Sequence, residues 1–383
     1  MEIIKTYKFR LYPSTAIKSQ LSKTFGCCRF VYNSMLHELK NKKTRPTESE
    51  LKKEHPFLSD VDSIALQQSR INLQTAFKNL KAKRARYPKF KSRKNKQSFR
   101  TVYTNGNIKI DFNKRELKLP KLALIKFRDK RIFEGKLKQV TVSKDETNKY
   151  FASLMIKEEI EIPPNLTNKT VGIDMGLTHF LTLSNGVKVV NPRFLRFREL
   201  KLKRKQRRFS KTKKGSNRRE NLRRQLALIY KKISNCRKDF QHKLSNLIIK
   251  NFDRICIEDL NLKGMIQNKR LAKSFHDLGW SEFARMLEYK SIWSGKTLLK
   301  AEKFFPSSQL CHSCNFKNSR LKLSDRIWTC SCGASHDRDI NASLNIIINT
   351  VGTTGIQAGG DDVGLKLAFA SNAIVYETRS SVL

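Results

Sequence analysis

No apolar run in this 383-residue chain approaches the ~18 residues that a membrane span needs. No secretory signal opens it; Met1-Glu-Ile-Ile-Lys-Thr-Tyr reads as an ordinary strand. Neither a broad-faced amphipathic helix nor a lipidation motif is present, so a membrane surface is not the expected partner. Cysteine is scarce, eight in all, and four of these fall within 22 residues, 311 to 332. Cys27, Cys28, Cys236 and Cys256 lie in apolar, periodic segments and read as buried small hydrophobes. Nothing forms a disulfide framework, which predicts a reducing, cytoplasmic compartment. A GxxxxGK[ST] phosphate loop is missing, which argues against an NTP-driven motor. No Ser–His–Asp or Cys–His order stands out for nucleophilic catalysis.

Acid is the other scarcity: 33 Asp and Glu stand against 79 Lys and Arg, a net charge of +46. A compact chain of that charge repels itself unless a polyanion neutralises it, and nucleic acid is the obvious one. Two strips concentrate the base. Residues 78–100 carry 11 Lys or Arg and no acid, with Tyr87, Phe90 and Phe99 interleaved. A solvated arm is the plain reading; interleaved aromatics favour phosphate contact through Lys83, Arg84, Arg86, Lys89 and Lys91. Residues 193–224 hold 16 Lys or Arg against two Glu, and Arg204, Lys205, Arg207 and Arg208 are the candidates there.

At about 150 residues per domain, the length suggests two or three domains. Residues 3–11 alternate like a strand, and apolar positions from Ile17 to Leu39 step by three and four like a helix face. A second helix is expected near 62–82. Residues 100–162 read as β, with runs at 107–112, 116–126, 137–144 and 149–157, and Pro163-Pro164 marks a boundary. Residues 169–190 predict a strand and a hairpin turning at Asn185-Gly186. A helical hairpin with its turn near 211–217 follows, then a short strand at 253–259 and a loop at 260–275. A helix at 279–293, a strand at 297–304 and a helix at 339–351 complete the pattern.

Cys311-x-x-Cys314, fifteen residues, then Cys330-x-Cys332-Gly333 is the spacing of two zinc knuckles. Four thiolates close the shell and make the site structural; His312 and His336 are possible substitutes. Acids inside apolar strands point to a cation. Asp174 stands in Val-Gly-Ile-Asp-Met-Gly, Glu258 ends Ile-Cys-Ile-Glu, and Asp339 opens the last helix. Together the three carboxylates could hold two Mg²⁺ ions, one activating a water and one stabilising the leaving oxygen of a phosphodiester. Each acid also has a plainer reading as a turn cap, an ion-pair partner or a helix N-cap.

With these residues in place, the chain resembles the TnpB (OrfB) family, transposon-encoded RNA-guided DNA endonucleases related to the type V CRISPR effectors. The resemblance lies in Lys-Thr-Tyr-Lys-Phe-Arg-Leu-Tyr-Pro and Cys-Cys-Arg-Phe-Val-Tyr-Asn near the start. It continues in Gly172-Ile-Asp-Met-Gly-Leu, Ile257-Glu-Asp-Leu-Asn-Leu-Lys-Gly-Met, Pro306-Ser-Ser-Gln-Leu-Cys and Cys332-Gly-Ala-Ser-His-Asp-Arg-Asp-Ile-Asn-Ala. It implies an α/β fold: a RuvC-like (RNase H-like) nuclease domain at 166–350 with a zinc ribbon inserted at 305–335. It also implies an N-terminal β-barrel (wedge) domain from 1–12 and 100–165, interrupted by a helical recognition domain at 13–99, and a flexible tail at 351–383. The family's catalytic acids fall on Asp174, Glu258 and Asp339, with Asp337 two residues away. Residues 260–275 correspond to a loop gating the active site. Cys-x-Cys at the second knuckle departs from the commoner Cys-x-x-Cys. The implied partners are a guide RNA from the transposon end and double- and single-stranded DNA, with a monomer on one RNA and a basic channel holding the heteroduplex. The competing readings are a strand-transfer transposase, disfavoured by the acid order Asp, Glu, Asp, and a catalytically silent nucleic-acid-binding regulator.

Overall fold

The computed structural model describes residues 1–41, 46–94, 96–162, 168–260, 262–268, 271–322 and 324–352. The tail expected from 351 therefore lies, from residue 353 on, outside the described residues. Two compact units form, Met1–Ile160 and Glu161–Leu383. Among the described residues no helix is long and apolar enough to cross a membrane.

The first unit opens with β1 (Glu2–Tyr12). Ser14 then starts α1 (Thr15–Lys40), its side chain accepting from the Ile17 N–H at 3.4 Å. A short helix not expected from the sequence, α2 (Glu48–Glu54), begins with a reciprocal capping box of Thr47 and Glu50. Helix α3 (Ser63–Lys81) follows, capped by Asp62. Six strands come next: β2 (Gln97–Val102), β3 (Lys109–Asp111), β4 (Glu116–Lys118), β5 (Ile125–Arg128), β6 (Lys136–Lys144) and β7 (Tyr150–Glu159). The run expected at 116–126 is two strands, because a turn containing Pro120 and Lys121 (φ +58°) reverses the chain.

All pairs in this sheet are antiparallel, in the order β2-β6-β7-β1-β5-β4-β3. The N-terminal strand thus lies inside a sheet built from residues far along the chain. The sheet is a half-barrel: β2 and β3 are its edges, and no pairing between them closes it among the described residues. Helices and sheet share one apolar core, in which Phe25 of α1 meets Phe99 of β2 at 5.7 Å. The Thr101 hydroxyl donates to the cap residue Asp62 at 2.5 Å, so α3 starts where β2 passes.

The second unit begins with β8 (Thr170–Asp174), β9 (His179–Leu183) and β10 (Lys188–Val190). The turn between β9 and β10 is the one expected at Asn185-Gly186, with Gly186 at φ +85°. Then α4 (Phe194–Ser210) and α5 (Asn217–Asn251) form the basic helical hairpin. Arg219 closes it: its guanidinium donates to the carbonyls of Phe209 (3.0 Å) and Thr212 (2.8 Å) and lies 4.1 Å over the Phe209 ring. One arginine of that strip is therefore structural.

Strand β11 (Arg254–Ile257) follows, then α6 (Leu262–Gln267), α7 (Ala272–Leu278), α8 (Trp280–Trp293) and β12 (Thr297–Lys300). The segment read as a loop at 260–275 therefore contains helix. Phe275 and Leu278 share one face of α7 and are buried in the core, Phe275 lying 5.5 Å from Trp280. Tertiary packing overrides a polar composition here. The hairpin β13 (Ile327–Thr329) and β14 (Ser335–Asp337) leads into α9 (Arg338–Val351). The main sheet runs β10-β9-β8-β11-β12; β8, β11 and β12 are parallel, and β9 is antiparallel to both its neighbours, β8 and β10.

Candidate active site and cysteine cluster

Strands β8 and β11 are parallel neighbours with Ile173 opposite Ile257. The next pair in that register is Asp174 and Glu258, at the carboxyl ends of strands about 4.8 Å apart. Gly172 lies two residues before Asp174 and on the same face. A Cβ on Gly172 would stand 1.9 Å from the Ser343 carbonyl oxygen and 2.9 Å from Ile347. Only glycine therefore lets α9 rest on β8. Asp339, Ser343 and Ile347 step by four along α9 and share its sheet-facing stripe. Asp339 is thereby held above the two strand acids.

The electrostatics follow this convergence. Burial first, then the charge of Glu258, then that of Asp339, push the Asp174 carboxyl well above the ordinary carboxylate range, and Arg338 works weakly against them. Burial also raises Glu258, opposed by the Ser307 hydroxyl, which donates to its Oε1 at 2.5 Å. Asp339 meets Arg326 at 3.5 Å, Arg338 at 3.6 Å and His179 Nδ1 at 3.9 Å. Asp337 differs. Its Oδ1 accepts from the N–H groups of Asp339 and Ile340, both at 3.1 Å, and its Oδ2 from Lys188 at 2.6 Å. Against its partial burial, the Lys188 hydrogen bond and those N–H groups hold its carboxyl below the usual range. Asp337 is a helix cap in an ion pair, and Asp339 is the acid whose charge reaches Asp174.

A buried acid whose ionisation two neighbouring acids oppose is a donor that a divalent cation would relieve. Among the described residues, though, only the four cysteines close to within 4.8 Å of one another. Like charges without a counter-ion repel, and two ions ~3.5–4 Å apart span a wider ligand set than one ion does. The charges of Glu258 and Asp339 both act on Asp174, and that is the observation bearing on a cation here.

Cys311, Cys314, Cys330 and Cys332 form the tightly closed cluster. The Sγ atoms of Cys311 and Cys332 are 3.7 Å apart, and those of Cys314 and Cys330 3.6 Å apart. A tetrahedron with zinc–sulfur bonds of about 2.3 Å has edges of about 3.8 Å, so the cluster is spaced to hold Zn²⁺. Neither histidine joins the four. His336 Nε2 lies 3.0 Å from the Cys311 sulfur, and His312 contacts Asn341. The His336 contact lies behind a candidate zinc ligand and is of the kind that orients a thiolate.

Sequence reasoning missed the residues that join this cluster to the acids. Asn341 donates to the Leu310 carbonyl (2.6 Å) and accepts from the His312 N–H (3.1 Å). Asn345 donates to the carbonyls of Ser307 (2.8 Å) and Leu310 (2.7 Å). Three asparagines four apart along α9, Asn341, Asn345 and Asn349, were the available signal. Arg326, between the cysteine pairs, also reaches Thr178 Oγ1 at 3.3 Å, and no local pattern marks it.

The basic candidates divide. Lys83, Arg84, Arg86 and Lys89 are exposed after α3. Lys91 is tied to α1: its backbone exchanges hydrogen bonds with Asn33 and its ammonium lies 3.8 Å over the Tyr32 ring. Arg204, Arg207 and Arg208 are exposed on α4, whereas Lys205 donates to Gln225 of α5 at 2.6 Å.

Gly172→Ala is expected to lift α9 from β8 at about 1–3 kcal/mol, the usual range for overpacking. In a unit of this size that is a fall of several degrees in melting temperature. An unchanged melt would show that α9 does not rest on β8 as described.

The fold is α/β and similar to that of Cas12f1. The Cas12f1 chain of a cryo-EM Cas12f1-sgRNA-target DNA complex superposes with a TM-score of 0.60 at 14% identity, covering 90% of this chain and 98% of that one. The family described as "Probable transposase" matches residues 142–269, the "Cas12f1-like, TNB domain" matches 280–346, and a "Helix-turn-helix domain" matches 1–44, where the described residues form β1 and α1. A "Putative RNA-guided DNA endonuclease" of Streptomyces pristinaespiralis is 38% identical, over 90% of this chain and 89% of its own. "Putative RNA-guided DNA endonuclease InsQ" of Escherichia coli is 31% identical, over 91% and 92%. The chain belongs to the TnpB (OrfB) family.

Proposed function

We propose that this protein is an RNA-guided DNA endonuclease with a RuvC-type site formed by Asp174, Glu258 and Asp339. One observation carries the reading: two acids in register at the ends of parallel strands, with a third above them, each raising the cost of ionising Asp174. Asp174, Glu258 and Asp339 would hold two Mg²⁺ ions, which supply nucleophile activation and neutralise charge on a phosphodiester. Ser307 orients Glu258, Gly172 sets the height of Asp339, and Arg326 and Arg338 bring cations to the side of Asp339. The four cysteines would form a zinc ribbon, inserted between the second and third acids. On this reading residues 1–12 and 100–165 make the wedge domain, 13–99 the recognition domain, and 166–350 the nuclease.

A net charge of +46 suits a protein that wraps a polyanion. The exposed bases after α3 and on α4 would grip the backbone of the guide–target heteroduplex, with pairing supplying sequence. The names of the relatives support RNA guidance, and one protein would act on one RNA. The test is to purify the protein with RNA from its native locus, sequence that RNA, and offer matched DNA with Mg²⁺. Cleavage that depends on the RNA is expected. A wild type that carries its RNA and never cuts would leave a silent binder, and joined transposon ends would show a strand-transfer enzyme instead.

A further inference from the structure

We infer that Phe304 is a stacking platform for a base of single-stranded nucleic acid beside the acidic site. This rests on the nuclease reading and adds a substrate contact to it. Phe304 is 83% exposed, the most of any large apolar side chain among the described residues, and its backbone is left-handed at φ +62°. That region strains an L-residue, most of all a bulky one, and glycine occupies it freely. Folding alone favours neither the ring's exposure nor its backbone.

The surrounding loop is pinned to two of the three elements that carry acids, the end of β11 and α9. On one side the Ala301 N–H donates to the Ile257 carbonyl at 2.8 Å, next to Glu258, and the Glu302 N–H to Asn349 of α9 at 3.0 Å. On the other, the Ser307 hydroxyl donates to Glu258, and Asn345 of α9 to the Ser307 carbonyl. The loop itself is tightened by the N–H groups of Phe305 and Ser307, which donate to the carbonyls of Glu302 and Phe305. Phe304 is thus a rigidly mounted ring only three residues, at most about 11 Å of chain, from the residue that touches Glu258. At ~3.4 Å per stacked nucleotide, that chain length is no more than about three nucleotides.

The chemistry of the surroundings selects the occupant. Lys303, with a side chain 73% exposed and its ammonium 3.9 Å from Asp259, offers a cation beside the ring. Ring plus cation is how sequence-tolerant single-strand sites are made, because every base has a π-face and every nucleotide a phosphate. An apolar protein partner would need an apolar patch, and the flanking Lys300, Glu302 and Lys303 are charged. No ring contact within the chain covers Phe304 among the described residues, whereas the exposed Tyr87 packs edge-on against Phe77 at 5.6 Å.

The test uses the full chain with its RNA, a short mixed-sequence single-stranded DNA containing 2-aminopurine, and Mg²⁺. Phe304→Gly is expected to weaken binding about ten-fold, the usual effect of removing one stacked base contact, and to abolish 2-aminopurine quenching. It should melt no lower than wild type, because relief of left-handed strain offsets the extra chain entropy of glycine. Phe304→Trp should keep quenching and affinity, and Phe304→Leu should lose both. Wild-type binding by the glycine variant, or equal rescue by leucine and tryptophan, would overturn the platform. If quenching is lost in Phe304→Gly but wild type cuts nothing, the nuclease reading fails and the platform stands.

Discussion

Asp174→Asn should reduce DNA cleavage by a thousand-fold or more while making the metal-free protein more stable. The loss follows from the proposed site: Glu258 and Asp339 both act on this carboxylate, and removing it would take away a donor of the proposed cation site. Losing ~4 kcal/mol of transition-state stabilisation is already about a thousand-fold in rate. The gain has the same origin. Asp174 is pushed well above the ordinary carboxylate range by burial, by Glu258 and by Asp339. An acid whose folded pKa is raised contributes stability at low pH, below its unfolded value. That contribution disappears as pH rises through the folded value. Wild type without Mg²⁺ should therefore lose melting temperature over that window relative to the Asn variant, which carries no such titration. Each kcal/mol recovered is worth about 2–4 °C in a unit of this size. The comparison belongs in zinc-replete, Mg²⁺-free buffer, with cleavage assayed separately after Mg²⁺ addition. Full cleavage by Asp174→Asn, or a pH profile parallel to wild type, would remove Asp174 from the site.

Cys330→Ser should also reduce cleavage strongly, through architecture. The apolar core of the cysteine module is small: Cys311, Trp328 and Cys330 are buried, with Leu321 and Ala334 packed alongside. So few apolar groups are a weak core by themselves, and zinc on the four cysteines would supply folding free energy directly. When this module loosens, Asn341 and Asn345 lose the Leu310 carbonyl they share, and Arg326 leaves Asp339. Asp339 is then fixed by one side of its helix only. The variant is expected to bind less than one equivalent of zinc, to be cut by protease between residues 305 and 337, and to lose cleavage by about a hundred-fold or more. The loss is smaller than for Asp174→Asn because the acids remain. Full cleavage by a zinc-free variant would show that the two sites work independently.

Much of this was legible along the chain. The two strips of base, the long helical hairpin, the Asn185-Gly186 turn and the spacing of the cysteines are local patterns, each set by a period or a short motif. An aspartate in an apolar strand is anomalous in any context, so Asp174 stood out before any neighbour was known. The short helix α7 did not, since its only apolar signal is Phe275 and Leu278, and their burial depends on Trp280 and the core beyond it. The sequence favoured Asp339 over Asp337 through the family resemblance alone, since either could cap a helix; the structure shows Asp337 as the cap, paired with Lys188.

The sequence by itself determined which residues could bind a cation, which could bind zinc, and that a polyanion must be near. Only the tertiary structure decided that Asp174 and Glu258, 84 positions apart in the chain, lie in register on parallel strands. It alone decided that α9 rests on the bare backbone of Gly172, and that asparagines and an arginine tie the cysteines to Asp339. The reason is range: periodicity reports what one element turns toward a core, whereas strand register and helix height arise from contacts between elements that no local pattern encodes.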